Sequence, residues 1–331
     1  MQKLLKILGI LILLILVVIV GLVIYFNSKF PVTIEVQNVK VDVTPERMAR
    51  GEYLAHHVVG CIDCHSDRDF HYFAGPTVEG TWGRGGFEFN EHFGGVPGKI
   101  FAKNITPAGI GDWSDGELIR MITTGMNKKG EAAFPLMPYT HYAFLCREDL
   151  YSVVAFIRSL KPIENPSKNH ELDFPMNLIL KTIPQPAPAP PPMPDKNDPV
   201  EYGKYLVNAV ACIECHSQID KGKFLPGLEF GGGRKFEFPN GDVILSANIT
   251  PDLETGIGSW TQERFLERFK SYVDSSGAPK KIPVEEHQKN TVMPWTDLGG
   301  MTEQDLISIY LYLRTLKPVK NKVETFTAAK N

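Results

Sequence analysis

The longest hydrophobic run lies at the N-terminus. Residues 7–26 are 20 residues without a charge, enough to cross the roughly 30 Å hydrocarbon layer of a membrane as a helix. Lys3 and Lys6 precede the run and predict a cytoplasmic N-terminus. Because no small-x-small cleavage site follows, we predict an uncleaved anchor over residues 1–30, with an unusual signal peptide as the alternative. In either case the remainder of the chain is exported, and we predict no second span.

Two later segments carry apolar residues at helical spacing. They are Leu150, Val153, Val154, Ile157 and Leu160 in the first half, and Leu306, Ile309, Tyr310, Leu313 and Leu316 in the second. Thr302, with Asp305 three residues later, predicts the start of the second of these helices. Thr44-Pro45-Glu46 and Asp198-Pro199-Val200-Glu201 place a capping residue before proline and predict one helix start in each half.

The two halves repeat the same motifs in the same order, at an offset of 144–156 residues. The repeated motifs are Gly51-Glu52-Tyr53-Leu54 and Gly203-Lys204-Tyr205-Leu206; Cys61-Ile62-Asp63-Cys64-His65 and Cys212-Ile213-Glu214-Cys215-His216; Asn104-Ile105-Thr106-Pro107 and Asn248-Ile249-Thr250-Pro251; Gly109-Ile110-Gly111-Asp112-Trp113 and Gly256-Ile257-Gly258-Ser259-Trp260; Met137-Pro138-Tyr139 and Met293-Pro294-Trp295. This period is far too long for a solenoid and indicates a duplicated domain. We predict domains over residues 44–163 and 197–319.

A proline-rich linker separates the predicted domains. Residues 183–196 include the run PQPAPAPPPMP, which favours a semi-rigid polyproline II spacer. We expect this spacer to set how far the two domains can separate. In the second domain, Ser271 to Thr291 is longer and more polar than its counterpart in the first.

Composition narrows the function classes. A net charge of −3 provides no basic field for nucleic acid. The Gly-rich loops lack the Lys-Ser/Thr ending of a phosphate loop, which argues against nucleotide binding. Five grouped cysteines do not suit a disulfide scaffold. The loops between the predicted helices are rich in glycine and aromatic residues and bury few aliphatic side chains, so a further group must fill each domain.

Both halves contain Cys-x-x-Cys-His, the attachment signature of c-type haem. Two thiols form thioethers with the vinyl groups, and the adjacent imidazole ligates the iron. A redox dithiol does not need the histidine, and zinc would need a second ligand pair that neither half offers. We therefore predict two covalently bound haem c groups. The attachment residues are Cys61, Cys64, Cys212 and Cys215, and the proximal ligands are His65 and His216.

Methionine is a common sixth ligand of c-type haem iron. Only Met137 and Met293 occupy matching places, each followed by Pro-aromatic and each 23 residues before a Leu-Lys-Pro. We predict both as axial ligands. Met126 and the histidines of each half are the rivals, and flexible core filling is the structural alternative.

These motifs resemble class I c-type cytochromes over residues 44–163 and 197–319. In that family an N-terminal helix crosses a C-terminal helix at a glycine facing an aromatic residue. The resemblance implies Gly51 and Gly203 as the crossing glycines, with Phe156 and Tyr312 as the aromatics. It implies a mainly α fold: two tandem class I cytochrome c domains with long Gly/aromatic loops, plus one N-terminal transmembrane helix.

The motifs Asn-Ile-Thr-Pro, Gly-Ile-Gly-x-Trp and Met-Pro-aromatic are also similar to the cytochrome c subunits of membrane-bound alcohol, aldehyde and gluconate dehydrogenases. Those subunits are typically three-haem proteins that pass substrate electrons towards ubiquinone or an oxidase. This chain departs from them by carrying two haem motifs.

Several other residues leave alternatives open. Trp113 and Trp260 suit either core packing or hydrogen bonding to a haem propionate. For Arg84 and Arg234 a solvated loop charge is favoured over propionate pairing. Cys146, at the position matching Thr302, is interpreted as a partly buried helix-start residue. Glu52, Asp63 and Glu214 are expected to be ordinary exposed acids.

The leading hypothesis is a membrane-anchored di-haem cytochrome c that is not an enzyme. Two six-coordinate irons have no open position for a substrate and exchange electrons instead. The expected partners are a dehydrogenase, an oxidase or a quinol-oxidising complex of a respiratory chain. We expect a single-pass protein of the bacterial inner membrane with its haem domains in the periplasm. The alternatives are a di-haem enzyme of peroxidase or thiosulfate-oxidising type and the haem subunit of an alcohol or sugar dehydrogenase complex.

Overall fold

The computed structural model describes residues 2–329 and begins with the long apolar helix that the sequence predicts. Helix α1, Gln2–Lys29, lies outside the packed body of the protein. Its length and composition suit a membrane span, and its position near the N-terminus equally suits a signal sequence.

Two crossing helices frame the first half of the body. The helices of this half are α2 Pro45–Tyr53, continued by a π-helical turn Leu54–Val58, then α3 Cys61–Cys64, α4 Pro107–Ile110, α5 Asp115–Thr124, α6 Tyr139–Tyr142 and α7 Arg147–Ser159. A Cβ atom on Gly51 would lie 1.9 Å from the Ser152 carbonyl oxygen and 2.8 Å from Cβ of Phe156. Since only glycine permits so close an approach of α2 to α7, the predicted crossing glycine and its aromatic partner are confirmed.

The second half repeats this frame. Its helices are α9 Pro199–Ala209, α10 Cys212–His216, α11 Gln262–Lys270, α12 Trp295–Leu298 and α13 Glu303–Leu313; the short helix α8, Met176–Ile179, and a 3₁₀ turn, Leu180–Thr182, precede them. A Cβ atom on Gly203 would lie 1.8 Å from the Ser308 carbonyl oxygen and 3.0 Å from Cβ of Tyr312. The crossing of α9 with α13 therefore matches that of α2 with α7.

Helix-start residues cap these helices as the sequence predicts. Thr44 accepts a hydrogen bond from the Arg47 amide, and Asp198 accepts one from the Glu201 amide. Thr302 accepts from the Asp305 amide at 3.1 Å. At the matching position in the first half, the buried Cys146 sulfur accepts from the amide of Asp149. The interpretation of Cys146 as a helix-start residue is confirmed.

Short antiparallel strands cross the Gly-rich loops, a feature absent from the predicted mainly α fold. They form the sheets β1-β2-β3, β4-β5 and β6-β7-β8. Their bounds are β1 Glu88–Phe89, β2 Gly98–Phe101, β3 Glu171–Leu172, β4 Ile219–Asp220, β5 Lys223–Phe224, β6 Lys235–Glu237, β7 Val243–Leu245 and β8 Phe326–Thr327. Gly98 pairs with Leu172 in the first sheet, and Ile244 pairs with Phe326 in the third. These pairings join the loops to the chain segment that follows the last helix of each half.

The Asn-Ile-Thr-Pro motif has the same structural role in both halves. The Oδ1 atoms of buried Asn104 and Asn248 accept hydrogen bonds from the threonine two residues later. Their amide groups donate to the carbonyls of Ile163 and Val319, 2.7 Å away in each case. The motif thereby ties each loop to the chain beyond the last helix.

The two halves pack directly against each other. One hydrophobic cluster contains Leu54 and Val153 from the first half together with Leu206 and Leu306 from the second. Residues 184–194, all within the described chain, form neither helix nor strand. The expectation that this spacer sets the separation of the halves is therefore wrong for this structure, because their own apolar surfaces hold them together.

The long polar segment of the second half lies against the first. The Ile282 carbonyl accepts from the Phe73 amide at 2.8 Å, and the Val284 amide donates to the His71 carbonyl at 2.9 Å. Asn290 accepts from the Ala74 amide. The extra residues between Ser271 and Thr291 therefore form a strap across the boundary between the two halves.

Candidate haem-attachment sites

The two Cys-x-x-Cys-His motifs form matching single-turn helices. Helix α3 follows Gly60 and helix α10 follows Ala211, both with positive φ, so that the chain turns sharply after the first long helix of each half. All four cysteines of the two motifs are free. Burial raises the pKa of Cys61 and of Cys212 to about 12. Such thiols stay protonated, which argues against a reactive dithiol.

A backbone carbonyl orients each predicted proximal histidine. Nδ1 of His65 lies 2.6 Å from the Lys103 carbonyl oxygen, and Nδ1 of His216 lies 2.7 Å from that of Ala247. Nδ1 must donate to the carbonyl, which leaves the lone pair of Nε2 for a metal. Burial lowers the pKa of both imidazoles, although these hydrogen bonds oppose the shift.

The carbonyl partners were not among the residues selected from the sequence. Each directly precedes the asparagine of an Asn-Ile-Thr-Pro motif, Lys103 before Asn104 and Ala247 before Asn248. The repeat of this motif was the available signal, because the asparagine fixes the loop whose preceding carbonyl meets the histidine.

A cavity of about 620 Å³ opens beside the second motif. Its walls include Cys212, His216, Met293 and Trp260 together with aliphatic side chains. The second half thus brings an attachment cysteine, the predicted proximal histidine and the predicted axial methionine to one largely apolar cavity. This set of donors fits a covalently attached haem.

The two predicted axial methionines share a local conformation. The carbonyl of Met137 accepts from the amide of Tyr139, and that of Met293 accepts from the amide of Trp295, each at 2.8 Å. Both side chains pack partly buried against the shared hydrophobic cluster, as does Cys61. Met126, the rival in the first half, is almost fully buried.

The sequence interpretation did not identify two arginines in the cavity of the second half. Arg264 and Arg268 project from α11 into the cavity wall. Their guanidinium carbons lie 4.7 Å from the ring centres of Trp260 and Trp295 respectively. Aligning Trp260 with Trp113 puts Glu117 and Met121 at the matching positions of the first half. The four-residue spacing of Arg264 and Arg268 on an amphipathic helix was the missed signal.

The loop arginines bind protein groups. Arg84 pairs with the carboxylate of Asp67, and Arg234 donates to the backbone carbonyl of Glu214. Trp113 and Trp260 both pack partly buried against the hydrophobic cluster, and Trp260 also lines the cavity of the second half.

Asp63 is buried, so its interpretation as an exposed acid is wrong. It lies against Asp297 of the other half, and the Arg68 guanidinium is 3.3 Å from its carboxylate. Burial, reinforced by the Asp63 charge, raises the pKa of Asp297 well above its ordinary value.

Glu214, the counterpart of Asp63, also contacts the opposite half. Nε2 of His141 lies 2.9 Å from a Glu214 carboxylate oxygen, and Nδ1 lies 2.9 Å from Oδ1 of Asn208. Burial opposes the charged imidazole, but these hydrogen bonds outweigh it and raise the pKa of His141. Each Cys-x-x-Cys-His motif thus touches the other half through its central acid.

Comparison with known proteins supports the haem interpretation. Residues 200–317 match the family model described as cytochrome c. The chain is 27% identical over 290 residues to the fructose dehydrogenase cytochrome subunit of Gluconobacter japonicus, a match that covers 81% of this chain and 52% of that subunit. It is 25% identical over 283 residues to the gluconate 2-dehydrogenase cytochrome c subunit of Pantoea cypripedii, covering 81% of this chain and 59% of that subunit.

A diheme cytochrome c-type protein of Cereibacter sphaeroides is 29% identical over 228 residues, which cover 60% of this chain and 73% of that protein. The chain therefore spans little more than half of the dehydrogenase subunits and most of the diheme protein.

Proposed function

We propose that this chain, whose residues 200–317 match the cytochrome c family model, is a membrane-anchored di-haem cytochrome c that transfers electrons. The observation that carries the proposal is the repeated proximal arrangement. In both halves a histidine directly after the second cysteine has Nδ1 bound to a backbone carbonyl, at 2.6 Å and 2.7 Å. The same hydrogen bond at repeated positions indicates the same ligand role twice.

Each half would hold one haem with its own residues. Cys61 and Cys64 would form the thioethers of the first, with His65 and Met137 as iron ligands. The corresponding set for the second is Cys212, Cys215, His216 and Met293. When bound, each haem supplies one-electron redox chemistry at an iron closed to substrate by its two protein ligands. The protein contributes burial, which limits the access of water, and fixed ligand orientation.

The packed interface supports electron exchange between the two haems. Asp63 contacts Asp297, and Glu214 contacts His141, so both attachment motifs lie at the boundary. Because the halves are held by direct packing, the separation of the haems stays fixed during transfer.

The anchor supports a location at the periplasmic face of the bacterial inner membrane. Helix α1 is long and apolar enough to span once, with Lys3 and Lys6 before it. A tether raises the effective concentration of the haem domains near membrane partners, so that a weak docking surface suffices.

The relatives indicate the class of partner. Several are cytochrome subunits of fructose, gluconate and alcohol dehydrogenases. We propose that this chain accepts electrons from a dehydrogenase or a quinol-oxidising complex and passes them to a respiratory acceptor. It would act as an electron-transfer protein or subunit and not as the catalytic component.

Redox-poised absorption and EPR spectra of the purified holoprotein test this proposal. Wild type should show two low-spin haems, and Met137→Ala or Met293→Ala should each abolish one methionine–iron charge-transfer band. Met126→Leu and Met301→Leu are matched controls, since both side chains are buried, and both should leave the bands unchanged. A high-spin wild-type haem that binds cyanide readily would instead favour a di-haem enzyme.

A further inference from the structure

An exposed apolar patch lies between the two halves of the sequence. Phe174 is 79% exposed, Leu178 is 40% exposed and Ile179 is 45% exposed. These three residues, here called the 174–179 patch, belong to the stretch from Phe174 to Leu180, which carries no charge. Three exposed apolar side chains within six positions suit a contact with an apolar partner.

The patch is a fixed part of the first half. Just before it, Leu172 on β3 pairs with Gly98 on β2, and the Asp173 amide donates to the Pro97 carbonyl at 3.1 Å. Just after it, Leu180 is buried. The segment is therefore held at both ends while its apolar side chains face outward.

The patch also lies beside the end of the anchor helix. Lys181 Nζ donates to Oδ1 of Asn27 at 3.1 Å. Asn27 is in the last turn of α1, which ends at Lys29. Polar and basic residues at the end of a membrane span lie at the headgroup level. The contact therefore places the 174–179 patch close to that level.

A short connection between α1 and the packed body keeps that body close to the membrane surface. Ile34 is buried, and its carbonyl accepts from Arg120 on α5 at 3.1 Å. Further along, the Val41 amide donates to Asp115 at 2.8 Å. The five residues after Lys29, up to and including Ile34, can span at most about 17 Å when extended. The body cannot move far from the bilayer surface.

We propose that the 174–179 patch inserts into the headgroup region of the lipid bilayer as a second membrane contact beside α1. Lys29 and Lys181 would meet lipid phosphates at its rim, while the carboxylate of Asp173 stays in water. Together with α1, the patch fixes how the haem domains are oriented on the membrane. The inference rests on the proposed function, because it requires that α1 spans the membrane in the mature protein.

Site-specific photocrosslinking tests the contact directly. A benzophenone side chain replaces Phe174, Leu178 or Leu253 in the full-length holoprotein. Each variant is placed, without any other protein, in nanodiscs of phosphatidylethanolamine and phosphatidylglycerol. Leu253 is the control, since it is 71% exposed in the second half. The account predicts lipid adducts at the first two positions at least tenfold above those at Leu253. Equal adduct yields at all three positions would overturn it.

Two further measurements separate this inference from the proposed function. A benzophenone in place of Leu16 must give lipid adducts if α1 spans the membrane, and the absorption spectrum of the same sample must show low-spin haem. Failure of either counts against the proposed function, whereas failure at Phe174 and Leu178 alone counts against the patch.

The orientation of the haems provides a second readout. The triple variant Phe174→Ser, Leu178→Ser, Ile179→Ser should keep wild-type haem spectra and remain in the membrane. In oriented multilayers the linear dichroism of its haem bands should fall towards that of an isotropic sample. Unchanged dichroism in the triple variant would contradict the proposed role of the patch.

Discussion

The hydroxyl of Tyr53 donates to a carboxylate oxygen of Asp305 over 2.6 Å, across the boundary between the two halves. The matching tyrosine of the second half, Tyr205, donates to Asp149 at 2.7 Å in the opposite direction. Asp149 and Asp305 stand at equivalent places in α7 and α13, each three residues after its helix cap. The halves therefore meet reciprocally, as subunits do in a two-fold interface.

These reciprocal hydrogen bonds stabilise the body. Tyr53→Phe and Tyr205→Phe each leave a buried carboxylate without its hydroxyl donor, which should cost about 1–3 kcal/mol of unfolding free energy. Denaturant unfolding of the holoprotein measures the loss. Tyr151→Phe on α7 is the control and should change stability little. Equal effects of all three substitutions would contradict a specific role for the interface tyrosines.

The crossing glycines leave no room for a methyl group. Gly51→Ala and Gly203→Ala would push a Cβ atom within 2 Å of a backbone carbonyl oxygen, and helix separation should cost about 3 kcal/mol or more. We expect a lower thermal midpoint and a lower yield of haem-loaded protein. Gly21→Ala, in the open surroundings of α1, should have neither effect. Wild-type yield and stability in both crossing variants would show that the helices do not pack as described.

The interface should weaken as the pH rises, because of His141. Its raised pKa means that the folded state favours the charged imidazole beside Glu214. This contribution is fully present below the ordinary histidine pKa of 6.5 and is lost as the pH rises through the higher folded value. His141→Gln should therefore reduce the unfolding free energy at about pH 6 and much less at about pH 9. A larger His141→Gln loss at the higher pH would reverse the predicted sign.

Arg264 and Arg268, in the cavity of the second half, should raise the reduction potential of the haem proposed there. A positive charge nearby stabilises the reduced iron relative to the oxidised iron, so Arg268→Gln should lower one of the two potentials by on the order of tens of millivolts. Spectroelectrochemical titration measures both potentials. Lys320→Gln removes an exposed positive charge elsewhere and serves as the control. A shift of both haems, or of neither, would contradict the assignment of Arg268 to the second site.

Local patterns predicted the parts of the structure that neighbouring residues determine. The caps at Thr44, Asp198 and Thr302 and the crossing glycines Gly51 and Gly203 are confirmed because each depends on one helix end or one helix pair. The repeated Asn-Ile-Thr-Pro motif was recognised, although its role in holding the loop became visible only with its partners beyond the last helix.

Contacts between the halves were not predictable in the same way. Asp63 is a polar residue in a motif whose flanking side chains are predicted to hold a cofactor, and its burial depends on Asp297, more than 200 residues away in sequence. The proline run forms neither helix nor strand, and the apolar surfaces of the two halves determine how far the halves separate. The short strands were missed because two- or three-residue pairings leave no periodic signal.

The central claim is that each half carries its own covalently attached haem. Intact-mass spectrometry of the mature chain, expressed with haem-maturation machinery, tests this most directly. The account predicts the polypeptide mass plus two haems for wild type, and plus one haem for either the Cys61→Ala, Cys64→Ala variant or the Cys212→Ala, Cys215→Ala variant. A wild-type chain that carries one haem or none would contradict it.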